Sequence, residues 1–263
     1  MKRRSPAVAG VFYPHDAREL TERVERLLAD GSQRLGGRAR PEAPRAMIAP
    51  HAGYDYSGPI AGTAFATLAD HRDAFDRVVL IGPAHWVAFR GIALSSAAEF
   101  DTPIGPVKVA GDVVARLRAL PAVAVNDAAH APEHSLEVEL PFLRRVLGGF
   151  ELVPWLTGEV AHEAVVEALH ASVEGARSLV VVSSDLSHYL DAQAARAADA
   201  ETARDVEAGR TLRGVQACGA TGVNALNAIL AAGERLQTLD LRNSSDTGGP
   251  ADRVVGYGAF RAA

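Results

Sequence analysis

The sequence predicts an α/β fold: a single domain over residues 1–263, with a central mixed β-sheet flanked by helices. Three observations predict it. Short β-branched runs bounded by Gly, Pro and Ser, such as Val78–Ile81 and Leu179–Val182, read as buried parallel strands. Stretches of helical period alternate with those runs, which places helices on both sheet faces. The chain has 263 residues, 48% of them hydrophobic and 22% charged, enough to bury a sizeable core.

Residues 5–14 read as an ordered leading segment rather than a tail. Ala17 to Asp30 carries Leu20, Val24, Leu27 and Leu28 on one stripe and predicts an amphipathic helix. Gly31 to Pro44, rich in Gly, Arg and Pro, predicts a surface loop. The first sheet strand follows, running into Pro50. A turn covers Gly53 to Ser57, and a helix spans about Pro59–Leu68. The second strand covers about 77–82. Gly91 to Ser95 and Val107 to Ala110 are short strand candidates, and Asp112 to Leu120 is helical. Leu136, Leu140, Leu143 and Leu147 mark a further helix face. Pro141 would free the carbonyl of Glu137, so that helix is either kinked or starts later. Phe150 to Leu156 is a strand, Ala161 to Glu174 a helix, and 178–184 the next strand. Helices are expected over Asp199–Ala208 and Thr221–Ala232. About Leu236–Leu241 and Arg253–Phe260 suggest a closing antiparallel pair around the Asn243–Pro250 turn.

Bulk properties exclude several classes. The net charge of −5 argues against a nucleic-acid binder, which carries a basic face. No apolar run approaches the ~20 residues of a membrane span. The basic N-terminus lacks the apolar centre of a signal peptide. A lone cysteine, Cys218, excludes an intrachain disulfide and suits a reducing cytoplasm. No glycine-rich phosphate loop, nucleophile elbow or CxxC occurs.

Three apolar runs each end in a histidine: Ala46–Pro50 delivers His51, Val78–Ala84 delivers His85, and Leu179–Ser187 delivers His188. Ligands in open α/β sheets gather beyond the carboxyl ends of strands. Three converging imidazoles point to a metal, to acid–base chemistry, or to both. A strand-end histidine capped by backbone is the plain alternative for His51. The same order of strand, Pro and His recurs at Pro83-Ala84-His85, which favours ligation by both. Cys218, just before a predicted helix, is a candidate third ligand, since a helix N-terminus favours the thiolate. A small buried hydrophobe is its alternative. Two imidazoles and a thiolate leave open positions and suit Fe(II), Zn(II) or copper.

Asp185 could orient an imidazole or approach the metal. His188 could be an acid–base group, reached across a flexible Ser183-Ser184 step, or a satisfied surface histidine. His134 could donate a proton or bind an anionic group, with Glu137 supporting it from one turn further on. Ser135 would cap the helix. Glu139 reads as part of a solvated face. His15, His71, His162 and His170 read as surface residues.

These motifs resemble the Memo family, whose bacterial and archaeal members are also called AmmeMemoRadiSam system protein B. The resemblance runs nearly end to end: Pro6–Pro14, Ala49–Tyr54, Gly82–His85, Glu133–Glu137, Leu140-Pro141, Ser183–His188 and Cys218-Gly219. The family fold is similar to that of LigB-type class III extradiol dioxygenases, non-heme iron enzymes that bind iron through two histidines and a glutamate. The resemblance implies metal ligation by His51, His85 and Cys218, with His134, Asp185 and His188 as catalytic groups around them. Cys218 stands where the dioxygenases carry a carboxylate, so ring cleavage does not follow from the resemblance. Trp86 stands where animal relatives carry a second histidine.

The resemblance implies a metal-dependent redox protein using a transition-metal ion, iron first, with copper or zinc as alternatives. Expected partners are an AMMECR-type protein, a radical SAM protein and a small-molecule or peptide ligand in the crevice, with neither nucleic acid nor membrane. Two other readings stand beside this one: a non-catalytic metal- or peptide-binding module, and a zinc hydrolase with His188 or His134 as base.

Overall fold

The computed structural model describes residues 2–37 and 42–262. In chain order the first half comprises β1 (Arg3–Arg4), α1 (Ala17–Leu35), β2 (Ala46–Ala49), α2 (Gly58–Ala66), β3 (Arg77–Pro83), β4 (Ile92–Leu94), β5 (Glu99–Phe100), β6 (Val107–Lys108), α3 (Gly111–Leu117), β7 (Val123–Val125) and α4 (Asp127–His130). The second half comprises α5 (Leu140–Val146), β8 (Glu151–Thr157), α6 (His162–Val173), β9 (Ser178–Ser183), β10 (His188–Leu190), α7 (Ala192–Glu207), α8 (Ala220–Leu226), β11 (Leu236–Asn243) and β12 (Val254–Ala262).

The α/β expectation holds. Among the described residues the main sheet has nine strands in the order β10-β12-β2-β9-β3-β8-β4-β7, with β11 also on β12. The central strands β2, β9, β3 and β8 are parallel. Antiparallel β12 and β4 flank them, so the sheet is mixed. β11 and β12 form the expected closing antiparallel pair.

The continuous apolar runs follow from burial on both faces. Met47, Val78, Leu80 and Val181 pack with Leu20, Val24 and Leu27 of α1, Phe65 of α2 and Phe142 of α5. Their strand neighbours Ile48, Val79, Ile81 and Val182 face the other way, toward Val113 of α3, Leu169 of α6, Val206 of α7 and Leu226 of α8. Each such fully buried side chain contributes about 1.5–3 kcal/mol.

Several boundaries depart from the sequence reading, each for a local reason. The first helix does not stop at Asp30; it continues to Leu35, where Gly36 closes it in the left-handed conformation. Gly31, read as the start of a loop, is needed inside the helix because α2 crosses there. A Cβ on Gly31 or Gly62 would overlap the opposing backbone. Of the Gly31–Pro44 loop, residues 38–41 lie outside the described residues. At Pro141 the helix starts later rather than kinking: α5 begins at Leu140, and Pro141 sits where its missing N–H costs nothing. α7 starts seven residues earlier than expected, because the Asp191 carboxylate caps it by accepting from Gln193 N–H and Ala194 N–H. α8 ends at Leu226 instead of Ala232.

The leading segment is ordered, as expected, and its anchor is Glu137. That buried carboxylate pairs with Arg4 and accepts from Ala7 N–H (2.7 Å), Val8 N–H (2.9 Å) and the Tyr13 hydroxyl (2.6 Å). No helix among the described residues is long and apolar enough to cross a membrane.

Candidate metal centre

Three parallel strands end side by side, and the residues just beyond them build the site. β2 runs into Pro50, which cannot donate to a ladder, and His51 follows. β3 ends on Pro83, and His85 follows two residues later. β9 lies between β2 and β3 and ends at Ser183. Strand order therefore brings together residues far apart in sequence.

His51 is buried. Its Nδ1 lies 2.7 Å from Ser183 Oγ, and that hydroxyl has only one proton, which faces Ser135 O (2.6 Å) and Glu139 Oε1 (2.9 Å). Nδ1 must then donate, which leaves the Nε2 lone pair free. Nε2 lies 3.3 Å from Cys218 Sγ. His85 is oriented in the same way by a carboxylate: its Nδ1 sits 2.9 Å from Glu133 Oε1, and its backbone N–H donates to Glu133 Oε2 at 2.6 Å. A carboxylate behind the far nitrogen fixes the tautomer and makes the other nitrogen a better ligand.

One donor atom from each of His51, His85 and Cys218 lies within 4.8 Å of the others. His85, Glu133 and His134 form a second such group sharing His85. The donor set fits a transition-metal ion: two imidazoles with free lone pairs and one sulfur, each held from behind.

Electrostatics are dominated by burial. Burial, then the neighbouring His85 and His134, pushes His51 well below the usual histidine range. His134 and His188 are lowered as well, in each case mainly by burial. Imidazoles so shifted are neutral at pH 7, the form that ligates. Cys218 departs from the sequence expectation. Its thiol is pushed up to about 12, chiefly by burial and then by Asp185, so the start of the short α8 does not activate it. A bound cation is what would favour its thiolate. The sulfur is already held: it accepts from Asp185 N–H at 3.2 Å.

The structure brings His134, Asp185 and His188 to the same place. With His51, His85 and Tyr257 they line a cavity of about 570 Å³. The His85 and His134 rings stack with centroids 4.8 Å apart. His134 Nδ1 lies 3.4 Å from Glu133 Oε1 without making a hydrogen bond. Asp185 Oδ1 accepts from His51 N–H at 2.9 Å, and burial raises its carboxyl to about 7. A second cavity, of about 550 Å³, reaches Cys218 from the side of Phe89 and Glu159.

Five details of the sequence reading are corrected. His188 does not terminate the β9 strand; it opens β10, paired with Val255 of β12, and reaches the cavity from there. Ser183-Ser184 is not a flexible step, since both residues are buried and hydrogen-bonded. Glu137 does not support His134, because its oxygens hold the leading segment. Glu139 is not on a solvated face. It is fully buried against Ser183, and burial pushes its carboxyl well above the usual range. Ser135 does not cap a helix; its hydroxyl donates to Pro83 O at 2.9 Å, tying β3's end to the site. His15, His162 and His170 are exposed and His71 half-buried, apart from the site as expected.

The sequence reading missed Glu133, Ser183 and Tyr257. Glu133 carried a signal, a carboxylate next to His134, but its main partner is His85, 48 positions away.

A family model described as Memo-like protein matches residues 4–261. A MEMO1 family protein of Aeropyrum pernix is 35% identical over 99% of this chain and 100% of its own length. One from Aquifex aeolicus is 32% identical over 98% of each chain. One from Methanopyrus kandleri is 34% identical, again over 98% of each. A match of that extent leaves one conclusion: this chain belongs to the Memo-like family.

Proposed function

We propose that this chain is a metal-dependent redox protein whose ion is held by His51, His85 and Cys218, with iron as the first candidate and copper as the second. The observation that carries the reading is the convergence of three donor atoms within 4.8 Å from two strand ends and the Cys218 loop. A mixed nitrogen and sulfur set with open positions suits iron or copper. The bound ion would supply electron transfer and open positions for an oxygen-derived oxidant. The chain's own residues do the rest. Glu133 and Ser183 orient the two imidazoles. His188, whose Nδ1 is tied to Leu186 O at 2.9 Å, has Nε2 uncommitted and holds or delivers a proton in the cavity. Asp185 braces the His51 turn by accepting from His51 N–H and places a carboxyl group on the cavity wall. His134 stands beside both histidine ligands as a further neutral acid–base group.

Metal analysis of protein purified without oxygen tests this. Iron or copper at one equivalent, lost in His51→Ala with the fold retained, is the expected result. Full occupancy in that variant refutes the ligand assignment. The cysteine ligand also suits a catalytic zinc site, so tightly bound zinc would favour a hydrolase. A chain that takes up no metal would be a binding module for a peptide or small molecule. We further propose a cytoplasmic assembly with an AMMECR-type and a radical SAM protein, the partners the sequence resemblance implies, which co-purification tests.

A further inference from the structure

The mouth of the 570 Å³ cavity carries a cation. Arg253 lines the cavity just ahead of β12, and its Cζ lies 4.4 Å from the centre of the Tyr189 ring. Among the described residues no carboxylate pairs with it. Stacking fixes the plane of a guanidinium and leaves its N–H fork free, the geometry that recognises carboxylates and phosphates.

The backbone is bent to make this pair. His188 lies opposite Val255 and Leu190 opposite Val254, so Tyr189 is an extra residue, a β-bulge. Its φ is +64°, and among the described residues it is the only non-glycine in that region. In a regular strand His188 and Tyr189 would face opposite ways. The bulge instead lets both line the cavity, with ring centroids 5.6 Å apart. Such strain persists where the surroundings over-determine it, often beside a functional site. The rest of the rim is apolar: Val11 is 80% exposed, Tyr189 64% and Tyr56 44%, and all three line the cavity.

We infer that Arg253, held by Tyr189, is the specificity residue for an organic anion with an aromatic or apolar body, its carboxylate or phosphate on the guanidinium and its body reaching inward toward His51 and His85. The inference rests on reading this cavity as the substrate site of the proposed metal centre.

Metal-free protein provides the test, because an anion cannot then be captured by the ion. Benzoate, phenyl phosphate and the neutral control benzyl alcohol are titrated by calorimetry and saturation-transfer NMR. At least one anion should bind about tenfold or more tighter than benzyl alcohol, the order expected for a charge-assisted contact. Which anion wins identifies the acidic group. Arg253→Gln should erase the preference, and Arg253→Lys should restore part of it. Tyr189→Gly, which suits the left-handed backbone, should stay folded yet weaken anion binding. Equal binding of acid and alcohol, no binding of either anion, or a preference surviving in Arg253→Gln would each overturn the inference. Metal stoichiometry, measured separately, should be unchanged in Arg253→Gln. A chain that takes up no metal sinks the redox reading, whereas Arg253-dependent anion binding stands or falls on the metal-free titration.

Discussion

Glu133 offers the sharpest test of how the site is held. Its Oε1 accepts from His85 Nδ1 (2.9 Å), His134 N–H (3.0 Å) and Ser135 N–H (2.9 Å), and its Oε2 accepts from His85 N–H (2.6 Å). The residue is 2% exposed. Burial alone would push its carboxyl up; the His85 imidazole, His85 N–H and Ser135 N–H outweigh it and hold the group at about 2. The drop from the ordinary 4.5 corresponds to about 3 kcal/mol of preference for the charged form. In Glu133→Gln one oxygen becomes an NH2 that faces a donor, so one bond is lost and the others weaken. We expect a loss of about 2–3 kcal/mol at pH 7, read as roughly a 1 M drop in the urea midpoint of the metal-free protein at an m of about 3 kcal/mol/M. The sign with pH follows from the depressed pKa. The carboxylate's contribution is complete above 4.5 and is lost as pH falls from 4.5 toward 2. The gap between wild type and variant should therefore hold from pH 7 to about 5.5 and narrow below 4.5. Metal affinity should fall by about 10–100-fold, because His85 loses its orienting partner. Unchanged midpoint and unchanged affinity would refute the account of Glu133 as the brace of His85.

The other predictions concern the proton donor and the helix crossing. His188→Ala should keep its metal, since no ligand is removed, and should lower metal-dependent turnover by about 10²–10⁴. Loss of the metal would make His188 a ligand; unchanged turnover would make it a bystander. Gly62→Ala should destabilise by about 1–3 kcal/mol or more, since its Cβ would lie 2.8 Å from the Leu27 carbonyl carbon, while Gly111→Ala, with nothing within 4 Å, should be close to neutral. Thermal unfolding of the two variants side by side decides it, and equal melting temperatures would contradict the close crossing of α1 and α2.

By itself the sequence determined the central strands, the presence of the main helices and the strand-end positions of His51 and His85. Those signals are local. A β-branched run of four to seven residues, stopped by Pro, defines a buried strand whatever surrounds it, and a histidine just past the stop must emerge at the strand's carboxyl end. His51, His85 and Cys218 could be picked out because ligand chemistry belongs to residue type. Tertiary structure alone decided the environment of each group. Glu133 finds His85 and Glu139 finds Ser183 across 48 and 44 positions, distances over which no pattern in the chain operates. Glu139 looked solvated because carboxylates usually are; packing buried it instead, and its Ser183 partner made that tolerable. Cys218 looked activated because a helix starts after it, but desolvation outweighs a short helix, and desolvation exists only once the chain has folded. The Tyr189 bulge, which turns a rim residue toward Arg253, comes from a register shift between β10 and β12, and register is a relation between strands that neither strand encodes alone.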